Sequence, residues 1–220
     1  MNSQDRALKV AEFLLQIEAI KLSPENPFTW ASGLRSPIYC DNRKTLSYPE
    51  VRAFIRDAFA ETIRESFPSA EVIAGVATGG VAIGALVAEA LNLPFVYVRS
   101  EAKKHGLGNQ VEGVLRDNQR VVVIEDLIST GSSSLKAVEA LREANAQIEG
   151  MVAIFTYGFP KAGERFDEAT CAVQTLSNYD FLLEQASASG YISSAQLATL
   201  SQWKSNPEAW SEHFMASHTH

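Results

Sequence analysis

Residues 121–134 read Val-Val-Val-Ile-Glu-Asp-Leu-Ile-Ser-Thr-Gly-Ser-Ser-Ser: an apolar run, two adjacent carboxylates and a hydroxyl-rich turn directly before a helical segment. Val121, Val122, Val123 and Ile124 are four β-branched residues in succession, the pattern of a parallel strand covered on both faces. Glu125 and Asp126 follow at its C-terminal end, where open α/β sheets bind their ligands. Gly131 and its small neighbours leave backbone N–H groups free to close on an anion, assisted by the start of the next helix. A phosphate at the turn and carboxylates at the strand end together suit a ribose 5-phosphate. A plain strand-to-helix connection uses the same ingredients, so the rest of the chain has to decide between the two.

On either side, short apolar runs alternate with helical patterns. Residues 72–77 precede a helix that runs through Leu91, and residues 95–98 follow it. A helix over about 133–144 leads to a strand at 151–157, and residues 171–176 read as the last strand. About five strands alternating with helices predict βαβ units around a mostly parallel sheet. Nearer the start, Leu8, Phe13, Leu14, Ile17 and Ile20 mark an amphipathic helix with Ser3 or Asp5 as its expected cap. A polar, turn-rich stretch covers 23–47. Pro49 then opens a second helix, with Val51, Phe54, Ile55, Ala58, Phe59 and Ile63 on its packing face. Beyond residue 178, Phe181, Leu182, Leu197, Leu200, Trp203 and Trp210 indicate two or three short helices.

The 220 residues carry 26 acidic and 19 basic side chains, a formal net charge of -7, which argues against nucleic acid as the main partner. Cys40 and Cys171 belong to no zinc-like cluster, and reduced thiols in a cytoplasmic protein are the expectation. Charged residues interrupt the N-terminal apolar positions, so no signal-peptide core is expected. No stretch approaches a membrane span.

Three further segments carry chemistry. Residues 99–113, Arg-Ser-Glu-Ala-Lys-Lys-His-Gly-Leu-Gly-Asn-Gln-Val-Glu-Gly, form a long polar connection with three glycines. Its Arg99, Lys103, Lys104 and His105 suit a highly anionic ligand, and half of such a loop reaches roughly 20 Å. Residues 75–80, Gly-Val-Ala-Thr-Gly-Gly, lie between a strand and a helix, where exposed amides can meet an anion. Residues 28–43, Phe-Thr-Trp-Ala-Ser-Gly-Leu-Arg-Ser-Pro-Ile-Tyr-Cys-Asp-Asn-Arg, read structurally as a hairpin or cover with Gly33 and Pro37 as turn residues. No P-loop lysine motif and no Gly-x-Gly-x-x-Gly occurs, against an NTPase or a dinucleotide enzyme.

In their order these segments resemble the type I phosphoribosyltransferases, and residues 121–134 resemble that family's motif for 5-phosphoribosyl pyrophosphate (PRPP). The resemblance spans about residues 28–157 and is most specific to orotate phosphoribosyltransferases, whose mobile catalytic loop the 99–113 segment resembles and whose N-terminal hood the 28–43 segment resembles. It implies the type I phosphoribosyltransferase fold: a single domain over 1–220, with an N-terminal helix and hood (1–48), an α/β core (49–176) and C-terminal helices (177–220). It implies that Glu125 and Asp126 hold the ribose hydroxyls. Leu127 and Ile128 continue the PRPP motif, and Ser129, Thr130, Gly131, Ser132 and Ser133 bind the 5-phosphate. Arg99, Lys103 and His105 match PRPP contacts, with Lys103 and Asp126 as the catalytic pair and Ser129 also meeting orotate. Thr78, Gly79 and Gly80 match the pyrophosphate loop. The implied cofactor is Mg2+, held mainly by PRPP with no protein residue assigned as its ligand. The implied assembly is a homodimer in which the 99–113 loop completes the neighbouring site.

The chain also departs from some relatives. Ala31 stands where they carry lysine, Tyr39 and Cys40 replace two phenylalanines, Thr78-Gly79 replaces Tyr-Lys, Tyr157 replaces an arginine near the base, and Ser100 follows Arg99 where many have a second basic residue. Those contacts are not carried over. The resemblance implies transfer of phosphoribose from PRPP to orotate in pyrimidine biosynthesis, giving orotidine 5-monophosphate and pyrophosphate. Two alternatives are a type I enzyme for another base, which the 28–43 segment opposes, and a PRPP-sensing regulator that binds RNA or DNA, which the charge of -7 opposes.

Overall fold

A computed structural model describes residues 1–100 and 110–217. Helix α1 (Ser3–Gln16) is capped by Asn2, whose side chain accepts the Asp5 amide at 2.8 Å. The cap is thus one residue earlier than Ser3, and Asp5 lies in the first turn against the positive helix end. The turn-rich stretch folds into two small antiparallel pairs. Strand β1 (Ile20–Leu22) pairs with β4 (Ile38–Cys40), enclosing β2 (Phe28–Thr29) and β3 (Arg35–Ser36), which turn at Gly33 with φ +87°. A 3-10 helix (Asn42–Ser47) connects this cover to α2 (Pro49–Ser66).

The α/β region follows: β5 (Val72–Val76), α3 (Gly79–Leu91), β6 (Phe95–Val98), β7 (Val111–Glu112), β8 (Arg120–Ile128), α4 (Ser132–Glu143), β9 (Gln147–Thr156), α5 (Pro160–Glu168) and β10 (Val173–Asn178). Helices α6 (Tyr179–Ala188), α7 (Ser194–Ser205) and α8 (Pro207–Ser217) complete the described chain. The main sheet has the order β10-β9-β8-β5-β6-β7, parallel except for the antiparallel pairing of β7 with β6.

Six strands stand where the rhythm predicts about five. The extra one, β7, is two residues long and lies inside the polar 99–113 segment, too short to leave a periodic signal. Helix α5 was equally hidden: its buried apolar positions are only Ala162 and Phe166.

The four-residue run of β8 is fully buried, as a strand covered on both faces must be. Val121 and Val123 join one core with Ala137, Val138 and Leu141 of α4 and Phe166 of α5. Val122 and Ile124 join the other with Ile55 and Phe59 of α2 and Ile83 and Val87 of α3. Each such burial is worth roughly 1.5–3 kcal/mol, so both layers fix the strand. The strand also runs on through Ile128 instead of stopping at Glu125, so its two acids are strand residues and point to opposite faces. No described helix is long and apolar enough to cross a membrane.

Candidate active site

The alternation of β8 separates the two carboxylates. Glu125 follows Val121 and Val123 onto the α4 side and is buried, 5% exposed, where Ser134 Oγ donates to its Oε2 at 2.8 Å and the Asp126 amide donates to its Oε1 at 3.0 Å. Burial, then the neighbouring Asp126 carboxylate, push Glu125 up to about 8 against the downward pull of Ser134 and of the Asp126 amide. Glu125 therefore carries its proton at neutral pH and anchors the strand end to α4.

Asp126 points to the α3 side, against Gly79. A Cβ at residue 79 would overlap the Asp126 carboxyl carbon and both oxygens, so only glycine fits there while Asp126 keeps its place. At Gly80 an added Cβ would run into the Ile124 carbonyl, and at Gly75 it would come within 2.6 Å of the Gly80 carbonyl oxygen. The three glycines press the β5–α3 turn onto β8. No side-chain cap occupies the start of α3 at Thr78, which leaves amides facing the same opening. The Ala77–Thr78 peptide is cis.

Beyond Ile128 the chain turns through Gly131, which has φ +77° and packs so closely on Phe166 that a Cβ would sit 2.9 Å from its ring. Gly131 is the N-cap of α4 but offers no side chain, so the first amides of a twelve-residue helix stay open for an anion. Arg165 of α5 braces this turn, donating from Nη1 to the Thr130 carbonyl at 2.9 Å and to Ser132 Oγ at 2.6 Å. From the cover, Asn42 Nδ2 donates to the Asp126 carbonyl at 2.7 Å, tying the 3-10 helix to the strand end. Arg165, Asn42 and Ser134 are absent from the sequence-based assignment. Their partners lie 35, 84 and 9 residues away, so no local pattern marks the first two.

These elements enclose a cleft of about 390 Å³ in which Thr78, Gly79, Glu125, Asp126, Leu127 and Ser133 come together with Cys40, Asp41 and Arg43. Arg43 Nε pairs with Asp41 at 2.7 Å. Burial, with Asp126 and Asp41 nearby, pushes the Cys40 thiol well up, so it stays protonated and is no nucleophile. Ser129 and Thr130 line a second cleft of about 470 Å³, which shares no lining residue with the first.

Arg99 follows the last residue of β6: its amide donates to the Gln110 carbonyl at 2.9 Å and its Nη1 lies 3.6 Å from Glu112 Oε1, outside the lining of its own chain's cleft. Lys103 and His105 lie outside the described residues. Ala31 and Tyr39 are exposed. Tyr157 is buried in an aromatic cluster with Trp30, Phe155, Phe159 and Trp203, where it packs instead of contacting the opening.

Among the described residues no group of three or more His, Cys, Asp or Glu side chains is placed to hold a metal. With Asp41 paired to Arg43 and Glu125 protonated, the Asp126 carboxylate beside the open amides fits Mg2+ instead, which binds through one or two carboxylates and substrate phosphates.

Residues 45–181 match the phosphoribosyl transferase domain. The chain is 56% identical over 201 residues to the orotate phosphoribosyltransferase of Porphyromonas gingivalis, covering 91% of this chain and 96% of that protein. It is 58% identical over 200 residues to that of Bacteroides thetaiotaomicron, covering 91% and 94%. The crystal structure of orotate phosphoribosyltransferase from Aeropyrum pernix superposes with a TM-score of 0.73 at 29% identity, covering 84% of this chain and 99% of that one. With the PRPP-type strand, the uncapped α4 turn and the glycine-packed carboxylate all in one place, the chain belongs to the orotate phosphoribosyltransferase family of phosphoribosyl transferase enzymes.

Proposed function

We propose that this chain transfers the 5-phosphoribosyl group of PRPP to N1 of orotate, giving orotidine 5-monophosphate and pyrophosphate on the route to UMP. The observation that carries the reading is the convergence of Asp126, the glycine turn at 78–80 and the open α4 amides at the C-terminal edge of the sheet. That arrangement offers a carboxylate to the ribose hydroxyls, amides of Ser132 and Ser133 to the 5-phosphate, and turn amides to pyrophosphate. Glu125 acts behind Asp126 as a positioning residue.

The C1–oxygen bond breaks with its electron pair leaving on pyrophosphate, and the orotate N1 lone pair forms the new C1–N bond. Asp126 orients the ribose and favours positive charge on it. Mg2+, held by substrate oxygens beside Asp126, would neutralise charge on the departing pyrophosphate. Lys103 is the principal catalytic cation in this reading. A unit charge at about 4 Å is worth about 4 kcal/mol at an effective dielectric near 20, roughly a thousandfold in rate if felt only in the transition state.

We further propose a cytoplasmic homodimer of single-domain subunits in which Arg99, Lys103 and His105 serve the neighbouring cleft. The position of Arg99 outside its own cleft supports this. The test is to mix the purified chain with PRPP, Mg2+ and orotate and follow the loss of orotate's ultraviolet absorbance, with adenine, guanine and uracil as competing acceptors and a chelator as control. Orotate-dependent, chelator-sensitive turnover is expected, and no turnover of orotate would overturn the reading.

A further inference from the structure

Displacement at the anomeric carbon has two sides: pyrophosphate leaves from one and the ring nitrogen arrives from the other. The first cleft contains Thr78, Gly79 and Asp126, the features suited to the leaving group and the ribose. The second cleft, lined by Ser129 and Thr130 just beyond β8, is walled by Trp30 and Phe159, two aromatic side chains suited to a flat ring. Both are held from behind by Tyr157, whose ring lies 5.5 Å from Trp30 and is stacked 5.4 Å from Phe159, while Trp203 meets all three edge-on.

One ammonium sits within this frame. Lys204, in the last turn of α7, reaches the end of β9, where its Nζ lies 3.8 Å from the position a Cβ would take at Gly158. Asp180 holds it there with contacts of 2.6 and 2.7 Å, and it lies 6.0 Å from the centre of the Tyr179 ring. The Lys204 side chain is 26% exposed and that of Asp180 is 72% exposed, so water screens the acid more than the base. An ammonium has three donors and Asp180 uses two, leaving one for a ligand. The other lysine of the cleft, Lys161, is exposed at the start of α5, and the acids Glu164 and Glu208 are exposed at the rim.

We propose that Lys204 is the specificity-determining cation of the ring subsite, selecting a planar ring that bears a carboxylate. The inference rests on the proposed phosphoribosyl transfer to orotate and assigns the residue that tells this ring from an uncharged one. The test compares Lys204→Met, Lys204→Arg and Asp180→Asn with the unaltered chain. Lys204→Met should raise the orotate KM roughly 10- to 100-fold, the range for losing one charge-assisted hydrogen bond, while the PRPP KM stays within about twofold. It should also narrow the preference for orotate over uracil by a similar factor. Lys204→Arg should restore most of the loss. Asp180→Asn, which breaks the same ion pair but keeps the ammonium, should leave the orotate KM within about threefold. An unchanged orotate KM in Lys204→Met, or an equal rise in Asp180→Asn, overturns the inference while the proposed function stands. Absence of orotate turnover in the unaltered chain overturns both.

Discussion

Replacing Gly79 by alanine tests whether the glycine is there to give Asp126 its position. The added methyl would overlap the Asp126 carboxyl group, with Oδ1 at 2.5 Å, where ordinary contact begins near 3.4 Å. The backbone of α3 is fixed by its packing on β5 and β8, so the carboxylate has to yield by about 1 Å or rotate away. A misplacement of about 1 Å at a reacting centre can lower turnover by roughly 100-fold. The expected result for Gly79→Ala is therefore a loss in kcat/KM for PRPP of about that size, with a stability change of only about 1–3 kcal/mol from overpacking. Steady-state kinetics and urea unfolding measure the two separately. Gly163→Ala provides the control: it lies inside α5 with nothing within 4 Å of the new Cβ, so it should add roughly 0.5–1 kcal/mol of stability and leave activity alone. A Gly79→Ala protein with unaltered kinetics would refute the packing argument.

Glu125 gives a pH signature. Its ordinary value of 4.5 is raised in the folded chain to about 8, so the folded state holds the proton more tightly and loses stability as pH rises through that interval. Glu125→Gln should therefore gain on the unaltered protein between pH 4.5 and about 8, by at most about 5 kcal/mol; parallel stability curves for the two proteins would contradict the burial argument. Arg165→Met removes two charged hydrogen bonds from the phosphate turn and should weaken PRPP binding by roughly 10-fold with little effect on the orotate KM, as competition binding would register. Equal mixing of Lys103→Ala and Asp126→Ala subunits should restore roughly a quarter of the unaltered activity if the loop serves the neighbouring site, whereas no recovery after demonstrated subunit exchange would place both groups in one subunit.

The sequence made the centre of the site legible because its physics is local. Four β-branched residues announce a strand buried on both faces, and Gly131 announces a tight turn with free amides, whatever surrounds them. The different fates of Glu125 and Asp126 were not legible, because they depend on how far β8 continues: a strand ending at Glu125 would have placed both acids in a turn. Support from Asn42 and Arg165 comes from distant segments packed by the fold. Tyr157, whose position matches a residue near the base in some relatives, is buried core, since Trp30 of the cover, Trp203 of α7 and Phe159 at the start of α5 close over it. The role of Lys204 depends on the α7 helix returning to the end of β9, which no motif in its own segment encodes.

The most direct measurement is a crystal structure of the chain with PRPP bound. The account predicts the 5-phosphate on the open amides of α4 between Ser129 and Ser133, the ribose hydroxyls at Asp126, and pyrophosphate at Thr78, Gly79 and Gly80. PRPP bound away from β8, or with its 5-phosphate at the 78–80 turn and its pyrophosphate at α4, would contradict it.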